Sequence, residues 1–173
     1  MPDGSYHEDY VKEFVPDPSC QREFRDALGQ FSTGVTIVTA LGARGPIGMT
    51  ANSFTAVSLD PPLVMWCPAK ASARFPAFTE ATHFAIHVLA ASQKGLADRF
   101  ARQGNGFEGL GGLTNDDGVP VIPDCLARFD CSQFDTHDAG DHAIVVGRVE
   151  NVSRSVGRGL VFANGQFGSF SDF

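Results

Sequence analysis

The sequence predicts a mainly β protein with a few helical additions, arranged as a barrel or a sandwich. Many short apolar or β-branched runs, few stretches of helical periodicity and no repeat at a fixed period lead to this prediction. The chain has 173 residues, 43% of them apolar and 19% charged, which is typical of one globular domain with a buried core.

The strand-like runs differ in character. A β-branched run covers 35–39, a run of small apolar and hydroxylic residues covers 47–58, and 63–67 is continuously apolar, as in a strand covered on both faces. Further strand-like runs cover 84–89, 126–134, 143–152, 160–162 and 166–170. A glycine-rich loop is predicted over 104–118.

Three helices are predicted between these runs, at 72–79, at 92–102 and near the start of the chain. Asp17 and Pro18 suit the N-cap and first position of the earliest helix. Phe24, Leu28 and Phe31 follow at helical spacing and predict a buried face. Residues 1–16 are expected to form a flexible arm, and 17–173 a single domain.

The charge and the segment types exclude several classes of protein. A net charge of −7 disfavours binding to nucleic acid or to an anionic membrane. The first fifteen residues resemble no signal peptide, and no apolar run has the length of a membrane span. The four cysteines lack C-x-x-C spacing, so buried reduced thiols in a cytoplasmic protein are expected.

The segment 48–62 is dense in small polar residues set among apolar ones. Thr50, Asn52, Ser53, Thr55 and Ser58 offer hydrogen-bond donors and acceptors without charge. Such a surface suits a flat heterocycle with carbonyls and ring nitrogens. The alternative is that serine and threonine are simply common near turns.

The segment 68–75 follows the apolar strand and carries two cations. Lys70, Ser72 and Arg74 could hold a phosphate at the start of the short helix, where exposed N–H groups favour an anion. A solvated loop with Ser72 as the N-cap is the alternative.

Four potential metal ligands lie within 137–142, namely His137, Asp138, Asp141 and His142. A metal site is one interpretation. The other is that Gly140 marks a turn, and that His142 opens a strand at the rim of a pocket with Asp141 supporting it. His83 and His87 lie in a strand-like run and are expected to be structural, since H-E-x-x-H chemistry needs a helix and a glutamate.

Motifs of several enzyme classes are absent from the sequence. No G-x-G-x-x-G opens a βαβ unit, and neither a P-loop nor a G-x-S-x-G is present. A nicotinamide nucleotide would therefore have to be held by something other than a Rossmann domain.

Taken in order, these segments resemble the flavin reductase-like family, which has an FMN-binding split β-barrel and includes the small reductase components of two-component flavin-dependent monooxygenases. The resemblance covers about 20–170. The matching stretches are 24–29 with 31–39, 48–64, 84–89, Gln93, 100–101, 140–142 and 147–149.

The resemblance implies a flavin site. Thr50, Ala51, Asn52 and Ser53 would line the isoalloxazine and ribityl side, with Ser58 close to the flavin. It also implies that Lys70, Ser72 and Ala73 hold the phosphate end. Thr33 and Phe100 are further candidates for flavin contact.

The activity implied is hydride transfer from C4 of NADH or NADPH to N5 of FMN or FAD, with His142 at the nicotinamide side. The family is usually homodimeric, and reduced flavin would diffuse to a partner monooxygenase. A non-catalytic flavin-binding or flavin-sensing module, or a metal-dependent enzyme using 137–142, are the alternatives. The sequence leaves the choices between FMN and FAD, and between NADH and NADPH, open.

Overall fold

The computed structural model describes residues 12–171, so 1–11 of the expected arm lie outside the described residues. Within these described residues, ten strands and three helices form, together with a 3₁₀ turn at Ala91–Gln93. The helices are α1 (Gln21–Gly29), α2 (Phe75–Thr79) and α3 (Lys94–Arg102). The strands are β1 (Thr33–Gly34), β2 (Thr36–Gly42), β3 (Gly45–Ala51), β4 (Thr55–Leu59), β5 (Pro62–Trp66), β6 (His83–Val88), β7 (Ala127–Ala139), β8 (His142–Arg154), β9 (Leu160–Ala163) and β10 (Gln166–Ser169).

Seven strands form one antiparallel sheet in the order β3-β2-β6-β7-β8-β5-β4. Among the described residues, its two edge strands do not pair, so hydrogen bonds do not close the sheet into a barrel. Residues 52–54 alone connect β3 to β4, so these edges lie within about 14 Å of each other at that point. The mainly β prediction is confirmed, and the sheet curls with a gap at 52–54.

The predicted run over 47–58 is therefore two strands rather than one. β3 ends at Ala51 and β4 begins at Thr55, on opposite edges of the sheet. Periodicity along the chain cannot detect this break, because both halves have the same small and hydroxylic composition.

β2 lies between two hydrophobic clusters because residues alternate between the faces of a strand. Val38 and Ala40 point into a cluster that contains Trp66, Phe78 and Phe84. Val35 and Ile37 belong to a second cluster, whose other members are Leu89, Ala97, Phe100, Ile122 and Leu160. The second cluster joins the sheet to α3 and to the small sheet β1-β9-β10.

The first helix differs from its prediction at both its start and its packing. The carboxylate of Asp17 accepts hydrogen bonds from the backbone N and Oγ of Ser19, at 2.7 and 2.6 Å, so it caps a turn and the helix begins at Gln21. No residue of α1 is buried, and Phe24 and Leu28 are 43% and 59% exposed. The predicted buried face is wrong for a single chain, because no element of the described chain covers it.

The second helix is shorter than predicted and spans Phe75–Thr79, after a turn at 71–74. The predicted helix over 92–102 is confirmed as the 3₁₀ turn followed by α3. No helix within 12–171 has the length and the hydropathy needed to cross a membrane.

His87 is fully buried and joins two layers of the fold. Its Nδ1 lies 3.0 Å from the carbonyl of Ile37 on β2, and its Nε2 accepts the N–H of Ile122 at 3.1 Å. Residues 119–122, all buried, cross the sheet here. Burial lowers the pKa of His87 to about 4, because desolvation disfavours the charged ring.

This arrangement predicts an acid-dependent loss of stability. The folded pKa lies near 4 and the ordinary value is 6.5, so the unfolded chain binds the extra proton between these values. The free energy of unfolding should be insensitive to this group above pH 6.5 and should fall by on the order of 3 kcal/mol as the pH drops to 4.

Denaturant titrations across this range, compared with His87→Gln, test the prediction. Glutamine can keep both hydrogen bonds but does not titrate, so this variant should lose less stability between pH 6.5 and 4. Equal pH dependence in the two proteins would contradict it.

Candidate functional site

A pocket of about 210 Å³ opens where β3 meets α3 and the small sheet. Its lining consists of Val35, Thr50, Ala51, Asn52, Ala101, Phe162 and Phe167. None of the described residues that line it is charged, so they can hold a ligand by ring contacts and by neutral hydrogen-bonding groups.

Three of the predicted flavin residues line this pocket from β3 and the residue after it. Thr50 Oγ1 donates to the carbonyl of Ala97 on α3 at 2.7 Å, and the carbonyl of Ala51 accepts Thr36 Oγ1 at 2.7 Å. These two bonds fix the backbone at the end of β3. Asn52 follows the strand, is exposed, and keeps its side-chain amide free of partners within 12–171.

The opposite wall is aromatic and was not predicted as part of the site. Phe162 and Phe167 lie on β9 and β10, with their rings 5.2 Å apart and edge to face. Lys94 Nζ lies 5.1 Å from the centre of the Phe167 ring and pairs with Asp98 at 2.7 Å. The signal in the sequence is the spacing of Phe162 and Phe167 around Gly165, which is typical of a hairpin with one aromatic residue on each strand.

The two further candidates lie behind the pocket surface. Phe100 is fully buried and packs edge to face on Phe107, with ring centres 4.9 Å apart, so it supports the pocket and does not line it. Its neighbour Ala101 lines the pocket instead. Thr33 pairs with Phe162 across the small sheet, and its buried Oγ1 has no hydrogen-bond partner among residues 12–171.

Ser53 and Ser58 lie on the β4 side of the gap. Ser53 Oγ accepts the N–H of Cys67 at 2.9 Å, which ties the 52–54 connection to the end of β5. Ser58 is half-buried on β4, next to an irregularity in the pairing with β5.

Lys70, Ser72 and Ala73 form a second group after β5, apart from the pocket lining. Lys70 Nζ donates to the carbonyl of Gly140 at 2.6 Å and pairs with Asp138, so its ammonium group is already engaged by the β7–β8 hairpin. Ser72 Oγ accepts the N–H of Arg74 at 3.2 Å. Ala73 is exposed, and its N–H finds no acceptor in the described part of the chain.

Arg74 does not present a free cation to a phosphate. Its guanidinium donates to the carbonyls of Gly48, Phe100 and Ala101 at 3.1, 2.6 and 3.1 Å. Partial burial lowers the pKa of this group from its ordinary value. The sequence suggested a phosphate ligand because the three carbonyl acceptors of Arg74 are too distant along the chain to be predicted from local sequence.

His142 opens β8, as expected, directly after the two-residue turn Gly140–Asp141. Its Nδ1 lies 2.7 Å from Asp141 Oδ1, and the ring is 43% exposed. This hydrogen bond lowers the pKa of Asp141 below its ordinary range. With Nδ1–H donating to the carboxylate, Nε2 of the neutral ring is left as an acceptor.

The metal interpretation of 137–142 is not supported by the geometry. His137 and Asp138 are successive strand residues, so they point to opposite faces of the hairpin. His137 pairs with Asp135, and Asp138 with Lys70. Within 12–171, no three ligand atoms of this segment gather as metal ligands do.

All four cysteines are free thiols, as expected, but only Cys131 is buried. Burial raises the pKa of Cys131 to about 12 and raises the pKa values of Cys67 and Cys125 as well. These thiols are therefore protonated at neutral pH and are poor nucleophiles.

The family model described as "Flavin reductase like domain" matches residues 28–171. The chain is 59% identical over 158 residues to FMN reductase (NADH) SmoA of Agrobacterium fabrum, covering 91% of each chain. It is 40% identical to reductase subunit HsaB of a flavin-dependent monooxygenase from Rhodococcus jostii, covering 84% of this chain and 76% of that one.

Among solved structures, the fold is similar to NADH:FAD oxidoreductase SgcE6 of Streptomyces globisporus C-1027 in complex with NAD and FAD fragments. The TM-score is 0.84 at 36% identity, over 92% of this chain and 98% of that one. Together with the mainly β architecture, these matches define a flavin-reductase type of protein. The chain belongs to the flavin reductase-like domain family, which confirms the resemblance stated from the sequence.

The pocket wall depends on a glycine that permits close contact between β3 and α3. A Cβ added at Gly48 would lie 2.6 Å from the ring of Phe100. We expect Gly48→Ala to lower the free energy of unfolding by about 1–3 kcal/mol, since the fully buried ring has no room to move.

Gly168→Ala is the matched control, because a Cβ at that strand position meets nothing within 4 Å. It should change stability by less than about 0.5 kcal/mol. Chemical denaturation measures both variants, and equal effects of the two substitutions would refute this role for Gly48.

Proposed function

We propose that this chain is an NADH-dependent flavin reductase that supplies reduced flavin to a separate monooxygenase. The observation that carries the proposal is the uncharged pocket at the end of β3, with an amide on one side and two aromatic rings on the other. Its chemistry fits an isoalloxazine, which has a flat apolar face and a neutral polar edge.

When bound, the cofactors supply the chemistry, a hydride passing from nicotinamide C4 to flavin N5. The protein contributes binding, orientation and exclusion of water. Phe162 and Phe167 provide an apolar wall, and Asn52 offers a donor and an acceptor to the polar ring edge. The pocket requires no general base, since most of the rate enhancement comes from holding the two rings close together.

We assign Ser53 and Ser58 to the β4 side of the flavin, and the buried hydroxyl of Thr33 to the wall beside Phe162. Thr50 and Ala51 hold the backbone that carries Asn52. Phe100 supports this wall from the core.

The phosphate end is proposed to lie at Lys70, Ser72 and Ala73. The exposed N–H of Ala73 and the hydroxyl of Ser72 are neutral groups that can bind a phosphate. Lys70 would have to exchange its contacts with Asp138 and Gly140 for the anion, which favours modest affinity over tight retention.

His142 is proposed to face the nicotinamide. Asp141 holds the ring in one tautomer, so Nε2 can accept a hydrogen bond from the carboxamide of the nucleotide. The residue would orient the hydride donor; it would not act as a nucleophile.

A split barrel completed in a homodimer is the proposed assembly. A pocket of about 210 Å³ is smaller than the roughly 300–1,000 Å³ usual for small-molecule sites, so a second chain would supply the missing wall. The exposed apolar face of α1 lies beside the aromatic hairpin, where Asn164 N donates to the carbonyl of Gly29 at 2.8 Å. Sedimentation of the purified protein as a monomer would refute this assembly.

The relatives named as monooxygenase reductase components support a diffusing flavin and a separate oxygenase. A cytoplasmic location is proposed because four free thiols suit a reducing compartment. Steady-state assays that cross NADH and NADPH with riboflavin, FMN and FAD test the function. Flavin binding without NADH oxidation would contradict it.

Asn52 should contribute directly to flavin affinity. We expect Asn52→Ala to weaken flavin binding about five- to tenfold, because a hydrogen-bonding group at the pocket edge is lost. Fluorescence quenching of the flavin on binding measures this. Ser153→Ala, at an exposed position on β8, should leave the affinity unchanged, and an unchanged Asn52→Ala would place the flavin elsewhere.

His142 should act on the nicotinamide more than on the flavin. His142→Ala is expected to raise KM for NADH at least about fivefold and to raise KM for flavin less, because one hydrogen bond to the nucleotide is lost. His137→Ala is the control from the same hairpin, where the exposed ring pairs only with Asp135. A larger effect of His142→Ala on the flavin KM would move this residue to the flavin side.

A further inference from the structure

The guanidinium of Arg74 connects two elements that are far apart in sequence. One acceptor is the carbonyl of Gly48 on β3, two residues before Thr50. The other two are the carbonyls of Phe100 and Ala101, in the last turn of α3. Carbonyls at the end of a helix lack intrahelical partners and carry partial negative charge, so a cation there is favourable.

The stem of the Arg74 side chain passes close to Gly104. A Cβ at Gly104 would lie 2.7 Å from Arg74 Cδ, so the glycine is what allows the arginine stem to pass. The carbonyl of Gly104 also accepts the N–H of Gly48 at 2.7 Å. Both backbone groups of Gly48 are thus bonded, one to Arg74 and one to the loop after α3.

The two elements that Arg74 joins are two walls of the pocket. β3 ends in Thr50 and Ala51, and α3 supplies Ala101. A planar fork of donors can reach several carbonyls in fixed directions, whereas a lysine ammonium is a point donor on a flexible stem. The distance between these walls is therefore set partly by one side chain from the segment after β5.

We propose that Arg74 is a positioning residue, which holds β3 and the end of α3 at the spacing that the flavin ring requires and does not contact the flavin phosphate. The inference rests on the proposed flavin pocket. It separates Arg74 from its neighbours Ser72 and Ala73, which are proposed to meet the phosphate.

Riboflavin and FMN distinguish the two roles, because riboflavin has the ring and the ribityl chain but no phosphate. Dissociation constants for both are measured by flavin fluorescence with the wild type, Arg74→Lys and Arg74→Ala. A positioning role predicts that each variant weakens riboflavin and FMN by the same factor, about tenfold. Arg154→Ala, which removes an exposed arginine from β8, should leave both constants unchanged.

A loss confined to FMN would overturn the proposal and make Arg74 a phosphate ligand. Unchanged constants for both flavins would overturn it as well. The melting transition and the emission of Trp66, the single tryptophan, report whether each variant folds. If Arg74→Ala does not fold, Arg74→Lys decides the question, since lysine keeps the charge and the stem.

A wild-type protein that binds neither flavin would refute the pocket itself. A wild-type protein that binds both, together with unchanged Arg74 variants, would refute only the role of Arg74. The two failures are therefore distinguishable in one experiment.

Discussion

The close contact between β3 and α3 is the constraint on which the candidate site depends. At Gly48 the strand backbone lies against the ring of Phe100 with no room for a Cβ. Thr50 bonds to the helix backbone two residues further on, and Arg74 bonds to both elements. These contacts fix the position of β3 along α3. As a result, Ala51 and Asn52 line the same pocket as Ala101.

The pocket lies where the sheet fails to close. Residues 52–54 leave one sheet edge and enter the other, and Ser53 ties the connection to the residue after β5. Between two strands, backbone N–H and C=O groups are not paired with a neighbouring strand, so they are available to a ligand. The aromatic hairpin β9–β10 belongs to the separate small sheet, so one wall of the pocket comes from outside the curled sheet.

The sequence predicted the features that depend on local pattern. The β-branched run of β2, the β6 run with its structural His87, the turn at Gly140 and helix α3 all follow from local composition, periodicity or turn residues. Coverage on both faces was predicted for 63–67 instead, where β5 buries only Val64 and Trp66. The features it did not predict depend on distant partners. Arg74 was one candidate for binding a phosphate, since its three acceptors lie 26 or 27 residues away and local sequence does not reveal them.

The first helix also shows what local sequence pattern cannot predict. Phe24 and Leu28 have the spacing of a buried face, yet nothing in the described chain covers them. Periodicity reports that a face is apolar, but it does not report which surface covers that face. A second chain can satisfy the pattern as well as the same chain can.

The negative charge of the chain bears on how a flavin reductase releases its reduced flavin. A net charge of −7 repels a flavin phosphate, and the acidic hairpin already engages the ammonium group of Lys70 through Asp138. In the proposed flavin pocket, affinity would then come mainly from covering the ring with Phe162 and Phe167 and from a few neutral hydrogen bonds. Without a strong ion pair to the phosphate, dissociation has no large electrostatic barrier. An enzyme that hands reduced flavin to another protein needs this property, and one that retains its flavin as a prosthetic group does not.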